Sequence, residues 1–207
     1  MEFIKIKENN SLVRIFFSVD NIKDVDVYIN DKIVFEKIKC IEFSSYKQNE
    51  SANVKVDVYS SGQNKTPIIS QMVNLMPKNI YTIAIVGDKK KLNLLVINDK
   101  VSKNIEFLNS SMRVVNLYKK NEIEIYIDDE KMLEMLSFKQ GCDYMDIRPD
   151  KYNIKVYNNK QKILLDIDIG FKESKLYTLY LVEKDKKLNI VKSIDGNSYV
   201  QECITFY

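Results

Sequence analysis

The sequence predicts an all-β fold built as two tandem β-sandwich domains, and three observations lead there. The first is internal repetition. KKLNLLVIND at 90 to 99 and KKLNIVKSID at 186 to 195 are near copies displaced by 96 residues, and Tyr81-Thr82 falls on Tyr177-Thr178 at the same offset. VDVYIND (25 to 31) answers IEIYIDD (123 to 129), and Val56-Asp57-Val58-Tyr59 answers Ile154-Lys155-Val156-Tyr157, both displaced by 98; Val13-Arg14-Ile15 answers Met112-Arg113-Val114 at 99. Matches that keep one order and nearly one offset mark a tandem duplication. The second observation is alternation of apolar and polar residues over short runs, with no convincing stretch of 3.6-residue period. The third is composition: 45% hydrophobic and 11% aromatic residues, rich in Ile, Val and Tyr, suit pleated, half-buried surfaces.

Taken in order, VDVYI turns Val25, Val27 and Ile29 to one face and Asp26 and Tyr28 to the other; IEIYI repeats this with Ile123, Ile125 and Ile127 against Glu124 and Tyr126. Asn30-Asp31 and Asp128-Asp129 follow as turns, because both residue types tolerate positive φ and bond to their own backbone, and KIVFE and KMLEM are the return strands. EKMLEMLSF, 130 to 138, comes nearest to a helix, yet it aligns with the strand-like DKIVFEKIK. YTIAIV, GDKK and KLNLLVI form a second hairpin, with YTLYLV, EKDK and KLNIVKSI as its counterpart, Leu188 and Ile190 inward and Asn189 outward. Each copy holds about seven to eight strands at spacings of about 8 to 12 residues, the pattern of a sandwich. The offset shrinks where the first copy carries the longer loop, SSGQNKTP at 60 to 67 against NNKQ at 158 to 161.

The expected organisation is an N-terminal strand or arm at 1–10, a first repeat at 11–98, a linker at 99–110, a second repeat at 111–196 and a C-terminal strand or tail at 197–207. MEFIKIK and YVQECITFY, at the two ends, both alternate like strands. Ile105, Phe107 and Leu108 make the linker too apolar to stay freely flexible.

Lys and Arg total 32 against 29 Asp and Glu, interleaved along the chain, so the net charge of +3 supplies no basic tract for a phosphate backbone and nucleic acid is not an expected partner. No run approaches the roughly 20 apolar residues of a membrane span. MEFIKIKENN lacks the apolar core and small-residue cleavage site of a secretory signal, so synthesis in the cytoplasm is expected. Cys40, Cys142 and Cys203 are odd in number and widely spaced, against both a disulfide framework and a zinc knuckle. They read either as buried thiols of a reducing compartment or as a route to intermolecular cross-linking, for which Cys203 is the candidate.

The chain has no histidine, which removes the commonest general base, the usual nucleophile triads and histidine metal sites. Its five glycines form no phosphate-binding loop. The acids recur at exposed strand positions and turns, so no catalytic, cofactor or metal site is expected. In DYMDIRPD, 143 to 150, Asp143, Asp146 and Asp150 are oxygen donors, but the glycine and glutamate of the helical calcium loop are missing. Tyr81 and Tyr177 start strands and are expected to pack at the sandwich edge. Tyr28 and Tyr126 point with the acids, away from the aliphatic face, and fit a contact surface. Lys192 stands where the first copy has Val96, so the later strand is expected to end in solvent or meet a different neighbour. Tyr28, Tyr126, Lys192 and Cys203 are therefore the candidate interface residues.

RIFFSVDNIKDVDVYINDKIVF, 14 to 35, and GCDYMDIRPDKYNIKVY, 141 to 157, resemble the opening strands and central segment of the bacterial Domain of Unknown Function 4397 family, in two copies from about Ser11 to Asp195. The resemblance implies immunoglobulin-like sandwiches in tandem. It brings no catalytic residues. The family's usual His-Ala-Ser-Pro after the first strand is replaced here by Phe17-Ser18-Val19, and its usual export signal has no counterpart.

The expected function is a non-enzymatic structural or assembly protein, making protein–protein contacts or a homo-oligomer. Sheet edges are templates for strand addition, and MEFIKIK or YVQECITFY could fill that role. The leaderless start and the Lys, Ile and Asn bias of AT-rich bacteria point to a spore-coat, spore-appendage or envelope component, assembled on the spore or cell surface. The alternative is an adhesion module that binds a glycan or a protein through sandwich-end loops such as 60 to 67. The absence of Trp tilts against a dedicated carbohydrate site.

Overall fold

A computed structural model of the chain describes residues 5–20, 22–50, 52–88, 91–100 and 109–196. Nearly all of the regular structure is β, and the described residues hold no α-helix. They divide into two units, one drawn from residues up to 100 together with Gly196, the other from residues 109–195.

The first unit contains β1 (Asn10–Phe17), β2 (Asp24–Ile29), β3 (Lys32–Lys39), β4 (Glu42–Phe43), β5 (Lys47–Glu50), β6 (Asn53–Ser60), β7 (Ile69–Asn74), β8 (Ile80–Asp88) and β9 (Lys91–Asn98). One sheet sets β4 and β5 along one side of β1, then β8 and β9; the other runs β3-β2-β6-β7. The β1–β8 pair is parallel, from Leu12 opposite Ile80 to Phe17 opposite Ile85, and every other pair is antiparallel.

The second unit repeats the plan with β10 (Ser110–Asn116), β11 (Ile123–Ile127), β12 (Glu130–Leu136), β13 (Met145–Ile147), β14 (Lys151–Asn158), β15 (Ile163–Gly170), β16 (Leu176–Lys184) and β17 (Lys187–Ile194). Its sheets are β13-β10-β16-β17 and β12-β11-β14-β15, with β10 parallel to β16. Both units are immunoglobulin-like sandwiches with a shared strand order.

Each core follows from period-two alternation. Val13, Ile15 and Phe17 of β1 meet Val25, Val27 and Ile29 of β2, Val54, Val56 and Val58 of β6, and Ile83 and Ile85 of β8. Met112, Val114, Ile123, Ile125, Ile154, Val156, Leu179 and Leu181 do the same in the second unit. Each such fully buried side chain stabilises by about 1.5–3 kcal/mol. Tyr81 and Tyr177 are buried, and their hydroxyls accept the N–H of Met76 (3.1 Å) and of Lys172 (3.0 Å), five residues upstream.

Both hairpin turns have the conformation their residues favour: φ is 49° and 61° at Asn30-Asp31, and 47° and 67° at Asp128-Asp129. Gly87 closes the β8–β9 end, where φ is 121° and a Cβ would come within 2.2 Å of the Lys91 carbonyl oxygen. The first seven residues of EKMLEMLSF are strand β12, bent where Met135 takes a φ of 46°; Lys37 holds the matching place in β3 with a φ of 52°. Of the segment expected as a strand or arm, Lys5 to Lys7 lie outside any strand and Asn10 opens β1, while residues 1–4 lie outside the described residues. YVQECITFY, most of the linker and Cys203 lie outside the described residues.

Candidate functional site

Two sets of polar residues occupy matching buried places. Arg14 and Thr82 are opposed across the parallel β1–β8 pair, on the face turned away from the sandwich interior. The Arg14 Nε donates to Thr82 Oγ1 (2.7 Å), and the Thr82 hydroxyl donates to Asp99 Oδ2 (2.5 Å). Asp99, just past β9, also accepts the Tyr46 hydroxyl (2.9 Å) and faces the Arg14 guanidinium at 3.9 Å. That guanidinium lies over the rings of Phe43 (4.5 Å) and Tyr46 (4.7 Å). The second unit builds the same set. Arg113 Nε donates to Thr178 Oγ1 (2.8 Å), and the hydroxyls of Thr178 (2.5 Å) and Tyr144 (2.6 Å) donate to Asp195 Oδ2; the Arg113 guanidinium sits 4.5 Å from the Tyr144 ring centre.

Arginine, threonine and aspartate are each nearly or wholly buried in both copies. The polar atoms are aimed at one another, which is what burial of charge requires. The set therefore ties four separate segments together: the central strand, its parallel neighbour, the exit of the last strand and the approach to an edge strand. It presents a closed bond network, not a reactive group.

A half-buried position is also used twice. Ser44 Oγ accepts the Ile15 N–H (2.8 Å), and Cys142 Sγ accepts the Val114 N–H (3.2 Å) at the corresponding place. Burial pushes the Cys142 thiol up, so it acts as a weak acceptor rather than a nucleophile. Cys40 is likewise half-buried.

A family model described as Domain of unknown function (DUF4397) matches residues 11–119 and 110–200, two tandem copies. The chain belongs to the DUF4397 family. No curated protein matches it.

In the second unit of this DUF4397 chain, Tyr126 and Lys192 stand on strands of different sheets, β11 and β17. Tyr28 and Tyr126 are half-buried on the outer faces of β2 and β11, and each packs against a tyrosine of the next strand: Tyr28 on Tyr59 with ring centres 5.0 Å apart, Tyr126 on Tyr157 at 4.9 Å. Around Tyr126, Glu124 accepts from Gln161 and pairs with Lys131 at 3.2 Å. Gln161 first, then Lys131, holds the Glu124 carboxyl below its usual range. Around Tyr28, Asp26 accepts the N–H of Lys37 (2.7 Å), the Ser61 hydroxyl (2.7 Å) and the N–H of Gly62 (3.0 Å), which pins the base of the 60 to 67 loop.

Lys192 does not end its strand, which runs on to Ile194. It pairs with the core residue Leu179, and its ammonium lies over the rings of Tyr177 (5.3 Å) and Phe171 (5.5 Å) while donating to the Gly170 carbonyl. Burial, then Lys172, lowers its pKa. Where the first copy has Val96 and Leu75, the second has Lys192 and Phe171, a cation over an aromatic face in place of an aliphatic contact.

DUF4397 unit two also has an opening that sequence reasoning missed, a cleft of about 420 Å³ lined by Ile127, Met132, Met145, Ile147 and Tyr152 with Asp128, Glu130, Asp146 and Arg148 at its rim. At the matching seam of the first unit, Lys47 of β5 donates to the Val34 carbonyl (2.6 Å) and covers the Phe35 ring (5.2 Å). Met145 stands where Lys47 does, so that closure is absent from the second copy. Asp143, Asp146 and Asp150 do not converge: Asp146 accepts the Ser111 hydroxyl (2.9 Å) and Asp150 caps the Lys151 N–H (2.7 Å). Among the described residues no group of three or more His, Cys, Asp or Glu side chains is placed to hold a metal, and no helix is long and apolar enough to cross a membrane.

Proposed function

We propose that this DUF4397 chain is a non-enzymatic structural protein that works by assembly, its two sandwiches serving as building blocks of a bacterial spore coat, spore appendage or envelope. One observation carries the reading. Among the described residues the exposed large apolar side chains are Ile33, Ile68, Met72, Met76, Met132, Met135, Ile163 and Ile167. All lie on or within two residues of β3, β7, β12 and β15, the edge strands of one sheet in each unit. Exposed apolar groups scattered over a surface need no explanation; gathered on sheet edges they mark places where another chain can add. The buried Arg–Thr–Asp–Tyr sets fit the same reading, since their polar chemistry stiffens each block. The Lys, Ile and Asn bias is what points to the spore surface, with synthesis in the cytoplasm before assembly.

Light scattering after size exclusion, at rising protein concentration with and without reductant, tests this. Growth of the apparent mass with concentration is the expected result, and a strictly monomeric chain at the highest concentration overturns it. A second reading, adhesion to a glycan or a protein segment, is favoured by the second unit's cleft, where Tyr152 and Arg148 combine an aromatic ring with a hydrogen-bonding rim. A glycan array and a peptide display screen test it, and loss of any hit on Met145→Lys locates it at the cleft.

A further inference from the structure

Residues 66 to 77, TPIISQMVNLMP, form the longest stretch of the chain without Asp, Glu, Lys or Arg. A charge-free run is ordinary in a buried strand, but this one contains β7, an edge strand, with Met72 61% and Met76 53% exposed. Natural sheets blunt their edges by shortness, bulges, charge or cover, and the other described edges of this protein each carry such a device. β4, β5 and β13 have two, four and three residues. β3 and β12 break register against their partners at Lys37 and Met135. On β9 the outward N–H of Leu94 is taken by the Gln71 side chain (3.2 Å). β17 carries the exposed charge of Lys192, held over the Tyr177 and Phe171 rings. β15 carries Asp166 and Asp168. β7 has unbroken register with β6 and none of these devices.

The backbone of β7 is arranged to accept a copy of itself. Leu75 N–H donates to the Ala52 carbonyl, in step with the β6–β7 register, so the backbone groups of Val73, Gln71 and Ile69 face β6 and those of Ser70, Met72 and Asn74 face outward. Outward groups meet outward groups, on one face, only if the two-fold axis bisects the pair made by one outward residue and its own copy, and the central outward residue is Met72. We propose that β7 pairs antiparallel with β7 of a second copy about a two-fold axis at Met72. Met72 then opposes Met72 and Ser70 opposes Asn74, with donors meeting acceptors and no charge opposing a like charge. The duplicate shows why a second copy fits here and not at the equivalent edge. Phe171 N–H donates to Asp150, so Gly170, Asp168 and Asp166 face outward on β15, and the same operation would set Asp168 against Asp168.

This inference rests on the assembly reading and names its partner. Sedimentation velocity of the full chain across a concentration series, compared with Met72→Lys and with Ile33→Lys on the bulged β3 edge, tests it. The expected result is a dimer weakened at least about tenfold by Met72→Lys, which opposes two ammonium groups, and unchanged by Ile33→Lys. Thermal unfolding monitored by circular dichroism confirms that both variants fold. Independently, Met72→Cys under mild oxidation is expected to give a reductant-sensitive dimer beyond any formed by the parent, since about 5.5 Å between paired Cα atoms is within disulfide reach. Self-association that persists undiminished in Met72→Lys, with no added cross-link in Met72→Cys, overturns β7 as the edge and leaves assembly standing. A monomer at every concentration overturns both.

Discussion

Asp99 and Asp195 have no exposed surface, and each is met by a threonine and a tyrosine hydroxyl on the same oxygen. Removing such a carboxylate strands a buried guanidinium, so Asp99→Ala is expected to lower stability by about 3–5 kcal/mol in urea denaturation. Thr82→Val deletes only the bridge and is expected to lower it by about 1–3 kcal/mol. At Cys142 the first copy supplies its own control, because Ser44 does the same task. Cys142→Ser is expected to stay within about 1 kcal/mol of the parent, whereas Cys142→Val leaves the Val114 N–H without that acceptor and loses about 1–3 kcal/mol. Asp26 gives the pH dependence. Burial pushes its carboxyl up, but the hydrogen bonds from Lys37 N–H, the Ser61 hydroxyl and Gly62 N–H outweigh that, and the net shift is downward. A carboxyl made more acidic by folding stabilises above its unfolded-state value and loses that contribution as pH falls through the folded-state value. Asp26→Asn is therefore expected to flatten the acid limb of a stability–pH curve below about pH 4 while leaving its neutral-to-alkaline shape alone.

Among elements, the β2–β3 and β11–β12 hairpins were legible because their turn chemistry is local: Asn30-Asp31 and Asp128-Asp129 need no distant partner to take positive φ. Asp31→Val is expected to cost about 1–2 kcal/mol at a φ of 61°, and Asp31→Gly to be tolerated, measured by thermal unfolding. The kink at Met135 was not legible, since nothing in EKMLEMLSF itself distinguishes a bent strand from a short helix until its pairing with β11 is known. Lys192 was legible by half. The alternation that turns Leu188 and Ile190 inward carries Lys192 to the same side, but the rings of Phe171 and Tyr177 that receive it come from elsewhere in the unit. Lys192→Val restores the first copy's residue, and the expected outcome is a folded protein whose turbidity rises with concentration as the β17 edge loses that charge. The buried polar sets were hidden for a related reason. Arg14, Thr82 and the final Asp of KKLNLLVIND all lie in repeated strings, but only the parallel β1–β8 register joins them. The cleft needs β12 and β13, strands of different sheets, and no single stretch of sequence encodes their separation.

For the whole molecule, duplication fixed the architecture and divergence gave the two copies different surfaces: Ser70 and Met72 leave one edge neutral where Asp166 and Asp168 charge its duplicate, and Met145 opens a cleft that Lys47 closes. Repetition was the part of this that the sequence displayed most openly, because a constant offset survives substitution. Which edge stays open depends on burial and register, which substitution alone does not reveal. The parallel pairs carry a last consequence, in the order of events on the ribosome. β1 pairs with β8, so Leu12 must wait for Ile80, and Ser111 for Leu176. Contacts this distant along the chain place folding in the millisecond-to-second range of non-local β proteins. Until β8 emerges, the nascent chain presents one unsealed flank of β1 while the uncharged β7 segment is already in reach. The growing polypeptide, rather than the finished one, is where this fold runs the greatest risk of pairing with the wrong strand.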